Sequence, residues 1–359
     1  MRFLIGVCLL SLWLGWLPRE GIDANLSQTL PAAPAAAPGN VAVAGPEAVA
    51  RQRALAWLHA QQLPDGSFGQ RLSDGTFSGD PASTADVVYV LALAGADPAG
   101  PAWTVKEHSA LQALAGLTPG YAEADAGQAG KIARAVAASG HDVRSFAGLD
   151  LVKIIEGFYN AKTGRYHPEL LYRNTLAIEG LARAGVAVPP AAVDALLAAR
   201  LPDGGWFWAF QGETSDLDTT GFVLDILSTY GGLRCAPALA PAADYVAGQQ
   251  AAAGAWGATT PPGPPNANST ALAVAGLAAA GYDLAGDVRL TRAGRDPLAS
   301  LLAFQEASGA FVYIPQPGRE EVRLAATTDA LTALAPATLA PLQSNTFCGA
   351  WYLPVRLAG

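Results

Sequence analysis

Charge is what this sequence has least of. Asp, Glu, Lys and Arg together make up 14% of the 359 residues, and the balance is acidic, with a net charge of −8. Nucleic acids and anionic membrane surfaces demand a basic stripe, so neither is an expected partner. Cysteine is scarce too: Cys8, Cys235 and Cys348 are too few for a small disulfide-stapled scaffold. Cys235 and Cys348 would pair in an oxidising compartment if the fold brought them together. Histidine occurs at His59, His108, His141 and His167 and nowhere later. A Gly-rich phosphate loop and a G-x-S-x-G nucleophile elbow are both missing.

The sequence opens on its one long apolar run. Met1-Arg2, the stretch from Phe3 to Leu17 and a small residue at Ala24 fit a secretory signal peptide over 1–24. A retained anchor is the alternative, for which the run is short. Residues 25–45 are Pro/Ala-rich with no helical stripe and read as a linker. The expected product is a secreted protein whose single domain occupies 46–359 and has no membrane span.

What fills that domain is repetition. Residues 62–68 read QLPDGSF, 250–256 read QAAAGAW and 305–311 read QEASGAF. RLPDGGW at 200–206 and NAKTGRY at 160–166 keep the spacing with Arg or Asn in first place. Each copy lies between two apolar, helix-like stretches, and the second stretch starts behind Ser, Thr or Asn, which are helix N-cap residues. Aligning the second stretches places Thr84, Ala129, Asn174, Thr220, Thr270 and Thr327 in frame, 45, 45, 46, 50 and 57 residues apart. Six helix pairs follow, and the domain is predicted to be all-α.

The Q-x-x-x-G-x-W pattern at Gln250 to Trp256 resembles the QW motif of squalene and terpenoid cyclases. The repeats are also similar to those of protein prenyltransferase β-subunits and of the transcobalamin/intrinsic-factor helical domain. The resemblance implies an (α/α)6 toroid, six inner helices inside six outer ones. In such a ring the motif is a closing device. The Gln bonds open backbone groups at a helix end, the Gly turns with positive φ, and the aromatic ring packs over the neighbouring pair.

All inner helices of a toroid point one way, so their first-turn amides would share a mouth and favour an anionic or carbonyl-rich guest. Counting from the frame residue, positions +2 and +5 should face the lumen. They hold Asp86, Tyr89, Lys131, Arg134, Glu179, Asp225, Asp329 and Thr332, beside apolar Leu176, Phe222, Leu272 and Ala275. These charges either pair into a plug or line a polar cavity. The loops supply the expected mouth residues: Trp206, Trp208, Phe210, Asp216 and Asp218 from the fourth, with Gln128, Tyr172, Arg173, Asn268 and Tyr313 from its neighbours.

Three functions compete. The prenyltransferase resemblance would imply a zinc site of Asp, Cys and His; with no His after residue 167 and no Asp two residues before Cys235 or Cys348, no metal or required cofactor is expected. The segment AVAASGHDVRSFAGLDLVKIIEGFYNAKTGRYH and the helices after it look like transcobalamin-type carriers, which implies a corrinoid-like ligand at the mouth. TSDLDTT at 214–220 resembles part of the D-x-D-D-T acid motif of class II terpenoid cyclases. That match would make Asp218, or else Asp216, a general acid, with Thr219 where the last Asp belongs. The leading expectation is a non-catalytic binder of a polar or amphipathic small molecule. The alternatives are the cyclase-like enzyme and an extracellular module that docks a protein over a plugged lumen.

Overall fold

A computed structural model describes residues 45–71, 77–230, 237–315, 323–336 and 338. The expected leader, all but the end of the linker, and both Cys235 and Cys348 lie outside the described residues. Among the described residues, and apart from the single turn Tyr121–Ala124, the helices alternate between two layers. They are α1 (Pro46–Gln61), α2 (Pro81–Leu93), α3 (Ala110–Leu117), α4 (Ala126–Ala138), α5 (Leu151–Gly157), α6 (Leu171–Arg183), α7 (Pro190–Ala198), α8 (Leu217–Thr229), α9 (Ala240–Gly248), α10 (Ala267–Ala279), α11 (Pro297–Leu302) and α12 (Arg323–Ala333). The even-numbered helices are inner. Each packs on the next, and α12 returns to α2, so the ring is closed. The toroid expected from the repeats is the fold observed, with three two-stranded hairpins added on its loops among the described residues, as at Gly257–Thr259 with Pro262–Pro265.

The glycine-aromatic motif closes each repeat through bonds that the sequence pattern only sketches. Thr84, Thr220, Thr270 and Thr327 are fully buried, and each accepts the backbone N–H of its repeat's aromatic residue, Phe68, Trp206, Trp256 or Phe311, at 2.9–3.1 Å. Asn174 does the same for Tyr166 with its side-chain oxygen, at 2.6 Å. Only the second repeat has Ala in frame, Ala129, and only that repeat lacks the motif. A buried amide without a partner costs about 1–3 kcal/mol, which makes the frame hydroxyl part of the motif.

The glutamines link repeats as well as close them. Gln62, Gln250 and Gln305 each donate to their own motif glycine's carbonyl at 2.9 Å and to a carbonyl of the following repeat. Those second acceptors are Trp103, Leu290 and, from the last repeat back to the first, Ala50 of α1 at 2.8 Å. The motif glycines have φ between 67° and 98°. Gly309 also lets Arg53 approach so closely that a Cβ would lie 2.3 Å from its carbonyl oxygen. The indoles of Trp206 and Trp256 are buried and donate to Leu196 and Val246, on the outer helix of their own repeat.

Inner helices meet on glycine. A Cβ on Gly130 of α4 would fall 2.2 Å from the Leu176 oxygen of α6, and one on Gly276 of α10 would fall 2.6 Å from the Gly221 oxygen of α8. These contacts draw α4 to α6 and α8 to α10 and fix which residues look into the ring.

Candidate functional site

The mouth differs from its expected character. Several of its first-turn amides are occupied rather than open. Asp80, Asp125, Asp216 and Asn266 are N-caps, accepting from Ser83, from Gly127 and Gln128, from Thr219 and from Ser269. The first residue of three helices is bonded by the loop of the following repeat. Leu171 donates to the Trp208 carbonyl, Leu217 to the Thr259 hydroxyl and Ala267 to the Tyr313 carbonyl, at 2.8–3.0 Å. With three aspartates as caps, the mouth is acidic and its helix ends are already neutralised.

The predicted mouth residues divide accordingly. Trp206 is core. Trp208 and Phe210 are half-buried; Trp208 stacks on Phe207 and the Phe210 ring lies 3.8 Å from the Arg165 guanidinium. Arg173 pairs with Asp125 and donates to the Tyr172 hydroxyl. Tyr313 acts through its backbone. Gln128 keeps a buried side-chain oxygen with no hydrogen-bond partner among the described residues. Asp216 is the cap of α8, and Asp218 is a first-turn residue whose side chain does not bond its own helix end.

The +2 and +5 columns differ from the frame column in burial and partners. Frame residues are wholly buried, whereas Leu176, Phe222 and Leu272 keep 5–9% of their surface. Bonds between non-adjacent helices settle the direction: Tyr89 of α2 donates to Glu179 of α6 at 3.0 Å, and Arg183 of α6 donates to Tyr89 at 2.7 Å. Between them, Arg134 of α4 pairs with Asp86 at 2.7 Å and Glu179 at 2.8 Å, and Lys131 pairs with Asp86 at 2.5 Å. Arg183 lies over both the Tyr89 and Tyr230 rings, which closes the far end. Thr332 bonds back to Thr328 on its own helix. One half of the lumen is therefore an interlocked ionic wall. Sequence reasoning missed Arg183 and Tyr230; carrying the lumen stripe on to position +9 reaches Arg183.

The other half is different. At one level, Leu176, Phe222 and Leu272 stand on the adjacent helices α6, α8 and α10. One turn above Phe222 is Asp218, and beside it Asn268 donates to Asp329 at 2.6 Å. Asp218 keeps a little accessible surface yet is enclosed by protein, and its Oδ1 has no hydrogen-bond partner among the described residues. Burial, then the neighbouring Asp216 and more distantly Asp329, push the Asp218 carboxyl up to about 7, against a hydrogen bond from Ser269. Asp329 is also pushed up to about 7, by burial and Asp86. Enclosure disfavours the charged form of a carboxyl and keeps it an acid.

No known protein family matches the chain by sequence, and no curated protein does. Solved structures do. A protein from Actinoplanes superposes with a TM-score of 0.60 at 21% identity, over 82% of this chain and 99% of that one. The type II terpene cyclase MstE from Scytonema superposes at 0.56 and 16% identity, over 81% and 98%. An unsaturated glucuronyl hydrolase specific for heparin does so at 0.58 and 13%, over 81% and 96%. Identities this low speak to the fold, and the fold is the α/α toroid. The resemblance to transcobalamin-type carriers finds no support in these comparisons.

Proposed function

We propose that the chain is an acid catalyst of the type II terpene cyclase kind, in which Asp218 protonates a carbon–carbon double bond of a substrate seated in the lumen. The observation that carries this reading is the enclosed Asp218 carboxyl, pushed up to about 7 and set one turn above an apolar patch. Near neutral pH much of it holds its proton, which is the state a donor requires. The proton passes from the carboxyl to one alkene carbon, and the π pair becomes the new C–H bond. The neighbouring carbon is left cationic, a second double bond of the same molecule attacks it, and loss of a proton restores an alkene. Asp218 recovers its proton from water.

Two features bound the substrate. An acid near 7 is a weak donor to carbon, so the alkene must be electron-rich and yield a tertiary cation. Phe222, one turn below, offers a ring face whose quadrupole is worth roughly 0.5–2 kcal/mol to a cation. Thr219 stands where the resembling motif has its last Asp, so any acid partner of Asp218 comes from Asp216 or Asp329.

The test is turnover of polyprenyl alkenes by the purified protein, followed by gas chromatography and mass spectrometry. Wild type should give cyclised isomers and Asp218→Asn none. Substrate returned unchanged by folded wild-type protein would remove the reading.

A second reading has its own observation. The Asp86–Lys131–Arg134–Glu179–Tyr89–Arg183 wall is interlocked by its own bonds, as a fixed scaffold would be. It suits a carrier of an amphipathic small molecule, corrinoids included, or a partner protein docked over the mouth. Native mass spectrometry of protein from its own host separates these, since a carrier retains cargo and a catalyst leaves empty.

A further inference from the structure

Two turns below Asp218, the same face of α8 carries a second carboxyl that alkene protonation leaves without a task. Asp218, Phe222 and Asp225 are spaced i, i+4, i+7, so they form one stripe along the lumen, about 10 Å from end to end. Packing does not require an acid at the lower place. The same level of the next two inner helices is filled by Ala275 and Thr332.

Asp225 is also held loosely. Among the described residues its one side-chain hydrogen bond is a long one, donated by Thr229 at 3.3 Å. The groups that face it are Glu179, Arg183, Arg134 and the Tyr230 hydroxyl. Both cations have other partners: Arg134 is bonded to Asp86 and Glu179, and Arg183 donates to Tyr89 and stacks between Tyr89 and Tyr230. No ion pair to Asp225 forms among the described residues. A buried carboxyl kept for structure is ordinarily paired. This one is enclosed, weakly bonded and on the face that the substrate would occupy.

We propose that Asp225 is the proton acceptor that ends the reaction. The inference rests on Asp218 being the donor. A C–H bond next to the final cation breaks, its electron pair becomes the new π bond, and the proton moves to an Asp225 carboxylate oxygen. Asp225 then releases that proton to water and Asp218 takes one up, so the sum is an isomerisation that needs no oxidant or co-reactant. Burial and the nearby Glu179 push Asp225 up to about 7, so near neutral pH part of the population is carboxylate and the proton it takes is readily released. Proton entry and exit thus sit at the two ends of one stripe, with the Phe222 ring between them.

The experiment compares wild type, Asp218→Asn, Asp225→Asn and Asp225→Glu with geranylgeraniol as the probe, measuring consumption and product identity separately, with circular dichroism to show that each variant is folded. Asp225→Asn should still consume the probe, more slowly than wild type but well above the level of Asp218→Asn. The share of its main alkene should fall by at least about tenfold, replaced by other alkene isomers or a water-quenched alcohol, and Asp225→Glu should restore it. Unchanged products from Asp225→Asn would overturn the proposal while leaving Asp218 as donor. Loss of consumption in folded Asp225→Asn, to the level of Asp218→Asn, would overturn it too. If wild type consumes no probe, the donor reading falls and this one falls with it.

Discussion

The Thr220 hydroxyl accepts the backbone N–H of Trp206 at 2.9 Å, joining the first turns of an inner helix to the ring-closing aromatic fourteen residues before it. The same bond recurs from Thr84 to Phe68, from Thr270 to Trp256 and from Thr327 to Phe311. Thr220→Val keeps the shape and strands a buried amide. It should lower unfolding stability by about 1–3 kcal/mol in urea titrations, and Thr220→Ser should recover most of that loss.

Glycine substitutions should divide by place. Gly130→Ala puts a methyl 2.2 Å from the Leu176 carbonyl oxygen and forces α4 from α6. Alanine's helix propensity favours the substitution by about 1 kcal/mol, but overpacking against backbone costs about 1–3 kcal/mol or more, so the protein should lose stability. Gly116→Ala on outer helix α3 meets nothing within 4 Å and should gain. Melting temperatures of the two variants check the contrast.

Stability should fall as pH rises from about 4 to about 7, in part through Asp329. Its folded-state value, about 7, exceeds the 3.8 of an exposed carboxyl. Across that window the native state holds a proton that the unfolded chain has released, so rising pH favours unfolding. The contribution is at most roughly 4 kcal/mol. Asp329→Asn cannot titrate, and its urea midpoint should change less between pH 4.5 and pH 7.5 than that of wild type. An equal change in both would remove Asp329 from the account.

Catalysis should share that direction. With a protonated Asp218 as donor, kcat/KM should be level below about 7 and fall tenfold per unit above it. A rate that climbs through pH 7–8 would point to a base in the first step instead.

Much of this architecture can be read from the residues. The frame at Thr84, Asn174, Thr220, Thr270 and Thr327 is legible because one hydroxyl or amide must meet one backbone group in each repeat, and Ala129 marks the repeat that lacks it. Lumen positions are legible because helical period alone puts +2 and +5 opposite the buried face. Partners are not. Nothing in the spacing says that Tyr89 meets Glu179 across the ring, since that depends on how closely Gly130 and Gly276 let the helices approach. The bonds that fill the mouth are hidden for a related reason. Thr259, Trp208 and Tyr313 come from the loop of the following repeat, so a helix-by-helix reading leaves open the amides they fill. Asp216 and Asp218 were separable only once the start of α8 was known, because a shift of two residues exchanges cap and lumen wall.

The central claim is that the lumen acid delivers a proton to carbon, and the most direct measurement is deuterium content of the product formed from a polyprenyl alkene in heavy water. The account predicts one deuterium on the initiating carbon of every cyclised molecule made by the wild type, and no product from Asp218→Asn. Product without deuterium at that carbon, or labelled product from Asp218→Asn, would contradict it.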